Sequence, residues 1–511
     1  MVRVLAFHIG IGLALPILGQ APQWAWAVQV GGTNSDYFTS AATDSIGNIY
    51  VTGELRSPVG EFDGMQVTNP YSPYPLPYVA MMNYAGTFQW VQPLSFPYGT
   101  LWNDDAHQVR FSCLVHEDSI AFPGQTITVS GGVAHVTGHI TDLGEFENIS
   151  VVDSLVNGPF DPVSLRAMDD PAEHILLAGS FIDSLVVGDT LMIATSDAMF
   201  IVSYAPDGSM EWANAFGGAG IVNMLAMDPM GASYLAGDAL GSLQLGDTTL
   251  SGGGFLLRLS ESGEIDWFKE SYFLGLDSKI MVDDFGHLFW SHASGDVTNL
   301  HCYSFAGEEL WIEYITTPGG YNYTTALLSD NAGGALVSGT MIGPSDFGTI
   351  GLNTWGGPDV FVARIGSNGT WSWAVGELGT ANVWGGGLIR DLVGNLFAFG
   401  YFENGPVFGS STLASSGTDY FAKLTSLPLS TSASPEPSNL ITMIPNPVSD
   451  LAWVDLPSAE LGAPVRLIDA TGRMVLGAVV DQQHFVMDFS ALSPGLYILR
   501  IGDHMVRLVK E

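Results

Sequence analysis

The sequence predicts an all-β protein, a seven-bladed β-propeller closed by its N-terminal strand and followed by a small Ig-like β-sandwich. Three observations lead there. A turn-then-strand motif opening with Asp and closing with Gly recurs along the middle of the chain. A Trp stands four residues after a turn Gly at five places. A final block of seventy residues has a different, alternating pattern.

The first observation sets the unit. Asp44-Ser45-Ile46-Gly47-Asn48-Ile49-Tyr50-Val51-Thr52-Gly53 is its first copy, and later copies start at Asp170, Asp228, Asp283, Asp330 and Asp391. Asp caps a turn with its own side chain, Gly takes the left-handed backbone position, and the apolar run that follows makes a buried strand. The closing Gly marks a close backbone approach.

The second observation doubles it. Gly86/Trp90, Gly208/Trp212, Gly263/Trp267, Gly307/Trp311 and Gly369/Trp373 share one spacing, each behind an apolar strand. Two hairpins per repeat make four strands, the content of a propeller blade. Between Trp90 and Asp170 the pattern decays. With Asp118 marking a divergent second repeat and no Gly-to-Trp hairpin there, the repeats average about 58 residues, and seven fill the span to Leu427.

The ends of this array complement each other. The last copy stops at Tyr420-Phe421-Ala422-Lys423-Leu424 without a Trp strand behind it, and Gln23–Gly32 supplies a Trp-bearing strand without a hairpin in front. Pairing of about 24–31 with about 418–424 would close the ring and remove its open edges.

Residues 1–20 read as a signal peptide: Arg3, an apolar run over Val4–Leu18, then small residues. The run is too short to span a membrane, and no transmembrane segment is predicted elsewhere. The propeller occupies 21–427, a Ser/Pro-rich linker 428–440, and the last domain 441–511. The chain has 52 acidic and 15 basic residues and a net charge of −37, which argues against nucleic acid as a partner. With 47% hydrophobic and 13% charged residues it is a folded protein, read as a monomer. Cys113 and Cys302 fall in distant repeats and are expected as unpaired buried thiols.

The D-x-x-G-N-x-Y-V-T-G pattern with following Phe and Trp resembles the SBBP repeats of secreted bacterial proteins, which implies a propeller and export without fixing an activity. The last block resembles the type A C-terminal sorting domain of the type IX secretion system, through Pro445-Asn446-Pro447, the Asp469, Gly472 and Arg473 turn, Gly495 and Tyr497, and the basic terminus. That resemblance implies a signal-peptide-dependent first step, the type IX machinery as partner, and delivery to the outer-membrane surface or the medium.

No catalytic motif is present: no G-x-S-x-G, H-E-x-x-H, Walker loop or C-x-x-C. No cofactor is expected. Ca²⁺ suits an acidic surface, but no complete Ca²⁺ loop occurs, and Asp104-Asp105, Asp169-Asp170 and Asp283-Asp284 read as turn residues. His287 and His292 are an odd number apart and face opposite sides of a strand; His135 and His139 share a face without a third ligand in sight. Trp102, Trp355, Trp371 and Trp384 lie outside the repeated hairpin position and are the candidates for a ligand face. The stretch Pro70–Tyr78 reads as a binding loop or a rigid connector. The function expected is binding of a glycan or protein at the cell surface; the alternative is an extracellular hydrolase or lyase with acids at the channel.

Overall fold

The computed structural model describes residues 21–425 apart from 96–98, 105, 117–118, 123–124, 130–132, 158–162, 171, 195–196, 272–277, 355–356, 378, 393 and 415–417. Of the C-terminal part it describes 442–444, 451–455, 464–469, 474–479, 484–490, 492–493, 495–501 and 504–510. The expected signal peptide and linker lie outside these residues.

The described chain is all β, with antiparallel sheets throughout. Between Gln23 and Thr425 the strands group in chain order into seven four-stranded units. The first is Tyr37–Thr43, Ile49–Leu55, Leu76–Met82 and Phe88–Pro93. The innermost strands of the next five begin at Thr100, Val163, midway along Met210–Met227, Lys279 and Tyr321. The seventh unit is Asn382–Arg390, Leu396–Glu403, Thr418–Thr425 and, from the other end of the chain, Gln23–Val30. That last pairing runs from Gln23 opposite Thr425 to Val30 opposite Asp419, where the complementary ends of the array put it.

The middle strands of a unit are buried on both faces. Every residue of Ile49–Leu55 and of Ala198–Tyr204 is buried; the second is apolar but for Ser203 and Tyr204, while the first also buries Thr52 and the ion-paired Glu54. The outer strands, such as Glu309–Thr316, are mostly half-buried or exposed.

The Asp turns form as the sequence predicts. Asp44 Oδ1 accepts the Ile46 and Asn48 amides at 3.0 and 2.8 Å. Asp228, Asp283 and Asp330 do the same in their units. The mark of the second unit is a correction: it is Asp104, which accepts the Ala106 and Gln108 amides, and Asp118 lies outside the described residues. The second unit also keeps the hairpin expected to be missing, with Gly144 at its turn and Asn148 in the Trp position. Its turn positions lack the usual residues, because His107 and, in the third unit, Glu173 hold the positive φ that Gly takes elsewhere.

The repeated Trp and Gly meet across units. A Cβ on Gly307 would stand 3.0 Å from the Trp267 ring, and one on Gly369 3.0 Å from Trp311. Gly86 meets Trp26, Gly144 meets Trp90, and Gly263 meets Trp212 in the same way. The indole N–H groups of Trp90, Trp267 and Trp311 donate to carbonyls of those turns at 2.7, 3.0 and 2.9 Å. Each of these five Trp therefore locks onto the turn of the following unit, Trp26 of the seventh unit onto the first. The core shared by the seventh and first units joins Phe397, Phe399 and Phe421 to Phe38, Val51 and Ala80.

Two features go beyond the sequence reading. Met210–Met227 continues from the outside of the third unit into the fourth, so these two units share an eight-stranded sheet. The bend falls at Gly217-Gly218-Ala219-Gly220, where Gly218 has φ +118° and backbone lies too close for a side chain. Second, six units carry a small ribbon between their middle strands, such as Val59–Phe62 with Met65–Thr68 and Ser345–Phe347 with Ile350–Leu352. The latter ribbon adds to the outer strand of the preceding unit, pairing Phe347 with Ile315.

The described C-terminal strands form a three-stranded and a four-stranded sheet. They share a core of Val454, Val465, Leu467, Met487, Phe489, Tyr497, Leu499 and Leu508. The buried Tyr497 donates its hydroxyl to the Ser493 carbonyl at 2.7 Å, and Gly495 is exposed at the strand start. Asp469 ends its strand. Pro445, Asn446, Pro447, Gly472 and Arg473 lie outside the described residues. Cys113 and Cys302 are free and buried, as expected.

Candidate functional site

The innermost strands of the first and seventh units start side by side, and a cavity of about 320 Å³ opens between them. It is lined by Tyr37, Phe38, Trp384, Gly385, Gly386, Gly400, Tyr401 and Asp419. The strands put these residues together through one local device. The seventh unit's inner strand bulges between Gly385 and Gly387, opposite the closing Gly400. A Cβ on Gly400 would stand 2.0 Å from the Trp384 carbonyl, so only Gly lets the bulge sit there. The bulge re-aims Trp384, whose carbonyl also accepts the Tyr420 hydroxyl at 3.3 Å.

Aromatic rings form one wall. Trp384 and Tyr401 have centroids 5.2 Å apart, and Tyr401 and Tyr37 follow at 5.9 Å. The Arg56 guanidinium lies 5.6 Å over Tyr37 and pairs with Glu54 at 2.8 Å.

Asp419 is the polar group of the cavity. It has 0% exposure, and neither carboxyl oxygen makes a full hydrogen bond; the Phe38 amide approaches without completing one. Burial pushes its carboxyl well above the usual range, the charge of Asp36 adds to the shift, and the Phe38 amide offsets part of it. Asp36 itself is saturated: its oxygens accept from the amides of Gly32, Arg56 and Ser57 and from the Ser57 hydroxyl at 2.6–2.8 Å. With its lone pairs committed, Asp36 is not placed to act as a second reacting carboxylate. The Tyr78 hydroxyl is also buried without a partner; burial raises it well above its ordinary value, and Asp419 and Asp36 add to the shift.

Of the four Trp candidates, Trp384 lines this cavity. Trp102 is covered by the Arg110 guanidinium at 5.1 Å. Trp371 is only 4% exposed and packs edge-on against Phe347 at 5.3 Å. Trp355 lies outside the described residues. The structure does not bring Trp102, Trp371 and Trp384 together. Asp419, Tyr37 and Tyr401 were missed, because nothing local distinguishes them. The Trp384-Gly385-Gly386-Gly387 run was the available signal, three glycines directly after an aromatic residue on an inner strand. Within Pro70–Tyr78, the Tyr71 and Tyr74 side chains are exposed, and Asn69 braces the loop by donating to the Leu55 and Tyr74 carbonyls.

His287, His292 and His301 of the fifth unit are accounted for by neighbours. His292 and His301 bring their Nε2 atoms to 3.2 Å with stacked rings, His301 meets Glu309 at 2.6 Å, and burial pulls His292 down to about 4. His287 pairs with Asp283 of its own turn at 2.8 Å. Among the described residues one grouping, Asp104, His139 and Glu173, has ligand atoms within 4.8 Å of one another. Asp104 Oδ2 already meets His139 Nε2 at 3.2 Å, and Glu173 is paired to Arg110, so these groups satisfy one another.

Residues 442–511 match the family of secretion system C-terminal sorting domains. This end of the chain is a type IX sorting domain. It directs export to the cell surface or the extracellular space and hands the chain to the type IX machinery. No helix among the described residues is long and apolar enough to cross a membrane. No curated protein matches the chain. Solved structures that it resembles include a protein of unknown function from Bacteroides caccae (12% identity, 55% of this chain and 89% of the other, TM-score 0.24). Another is a neuraminidase-like protein of a bat influenza A virus of subtype N10 (10%, 64% and 94%, 0.32). A third is PorZ, a surface component of the type IX secretion system of Porphyromonas gingivalis (10%, 95% and 100%, 0.17). Scores this low leave the fold to the strands themselves.

Proposed function

We propose that the seven units close into one ring, a seven-bladed propeller of SBBP-type repeats, and that the chain is a surface-delivered binding protein. Its ligand enters the aromatic cavity between the first and seventh units. The observation that carries this reading is Asp419, wholly buried on the cavity wall with neither oxygen in a full hydrogen bond. A buried polar group without a partner is costly, and a ligand that reaches into the cavity supplies the partner. Export runs in two steps, with residues 1–20 as the leader and the sorting domain as the second address.

Binding of the purified chain to a glycan array tests the reading. A ligand whose binding is lost in both Trp384→Ala and Tyr401→Ala supports it; a ligand held equally well by both variants places binding elsewhere. Removal of 442–511 should leave the protein in the periplasm, and normal surface display of that truncated chain would contradict the export route.

A further inference from the structure

The cavity's chemistry also selects its ligand, given the binding role just described. We infer that it takes a single neutral sugar ring and turns away cations, with Asp419 acting as an uncharged hydroxyl-and-carbonyl partner.

Four features of the site lead to this. A carboxylate built to recognise a cation is held ionised by donors around it. Asp419 makes no full hydrogen bond on either oxygen, the Phe38 amide offsets only part of its burial, and the charge that bears on it is the negative one of Asp36. The protonated form removes that conflict and offers one donor and one acceptor, a pattern that vicinal hydroxyls complement. Second, a cation is already in place. Arg56, paired with Glu54, lies over Tyr37, so that ring face is already taken by a cation. Third, a net charge of −37 disfavours anions, which leaves neutral ligands. Fourth, the row Trp384–Tyr401–Tyr37 offers flat apolar surface to the C–H face of a ring. The volume of about 320 Å³ sits at the lower end of the ~300–1,000 Å³ typical of ligand sites, which fits one ring better than a chain.

The test uses the purified full chain with two probe sets, methyl glycosides of neutral hexoses and tetramethylammonium, in calorimetry. The wild type should bind at least one glycoside and not tetramethylammonium. Asp419→Asn keeps one donor and one acceptor and should hold the glycoside within about threefold. Asp419→Ala removes both and should weaken it by about tenfold, the worth of one lost hydrogen-bond partner. Thermal melts of both variants show whether they fold, and the Asn variant carries the test if the Ala variant does not. Tetramethylammonium binding that disappears in Asp419→Asn would overturn the inference while leaving the cavity as the site. Absence of binding to every neutral glycoside would also overturn it. Glycoside binding that survives both Trp384→Ala and Tyr401→Ala would instead overturn the cavity reading.

Discussion

The junction between the fourth and fifth units and that between the second and third do the same job with different chemistry. At the first, Trp267 lies on Gly307 and bonds the Phe305 carbonyl. Around it Tyr234, Leu256, Trp290 and Tyr303 make an apolar core. At the second, Asn148 replaces the Trp and nothing lies within 4 Å of where a Cβ on Gly208 would point. Asn148 has φ +51°, a conformation that Asn tolerates and Trp resists, so the lock is not available there. Polar pairs span this junction instead: Arg110 with Glu173, His135 with Asp169 at 3.5 Å, and Ser112 with Asp169 at 2.6 Å. Some of that polar surface stays unsatisfied, including both His135 nitrogens, Asp169 Oδ1 and Arg110 Nε. The comparison teaches that the Gly-to-Trp spacing is a signature of contact between units, not of the hairpin that carries it.

Four measurements break or sharpen this contrast. Trp267→Ala removes both packing and an indole hydrogen bond, and should cost about 3 kcal/mol in denaturant unfolding. Arg110→Ala should cost about 2 kcal/mol, less than a fully buried pair because Glu173 is partly exposed and regains water. An equal or larger loss at Arg110 would make the polar junction the stronger one. The two glycines give a cleaner comparison. Both have φ near +80°, so Ala is strained at each by about 1 kcal/mol, but only Gly307→Ala also meets a Trp ring. Gly307→Ala should therefore be the more destabilising, and equal melting temperatures for the two variants would show that the ring contact contributes nothing.

The last measurement concerns a third kind of junction, between the sixth and seventh units. Asp359 is buried with no partner on either oxygen, and burial together with the charge of Glu377 raises it to about 8. Its unfolded value is about 3.9, so the folded state holds the extra proton between those values. Its contribution to stability is whole below about 3.9 and is lost as pH rises through about 8. Melting temperature should fall more steeply from pH 5 to 8.5 in the wild type than in Asp359→Asn; parallel slopes would mean that Asp359 does not titrate there.

What the sequence discloses follows from how local each signal is. The Asp turns are legible because one side chain caps its own loop, as Asp44 and Asp283 do. The N-terminal strand is legible because Trp24 and Trp26 lie on a strand with no hairpin in front, and the last repeat lacks the Trp strand behind it. The second unit misleads because His107 and Asn148 stand where Gly and Trp do elsewhere, so the reading slips to Asp118. The ribbons escape notice although their apolar-then-Gly turns recur at Phe62, Phe122, Val187, Leu245, Phe347 and Phe408, each buried against a neighbouring strand. Trp384 is found through its glycines. Asp419 is not, because its burial arises from the meeting of strands some 380 residues apart in the chain.

That meeting has a consequence for the timing of maturation. The strand Gln23–Val30 is among the earliest parts of the described chain to be made, yet its hydrogen-bonding edge waits for Thr418–Thr425, among the latest. Until then both edges stay bare. The cavity lined by Asp419 and Tyr37 can therefore take shape only after the strand Thr418–Thr425 has been made.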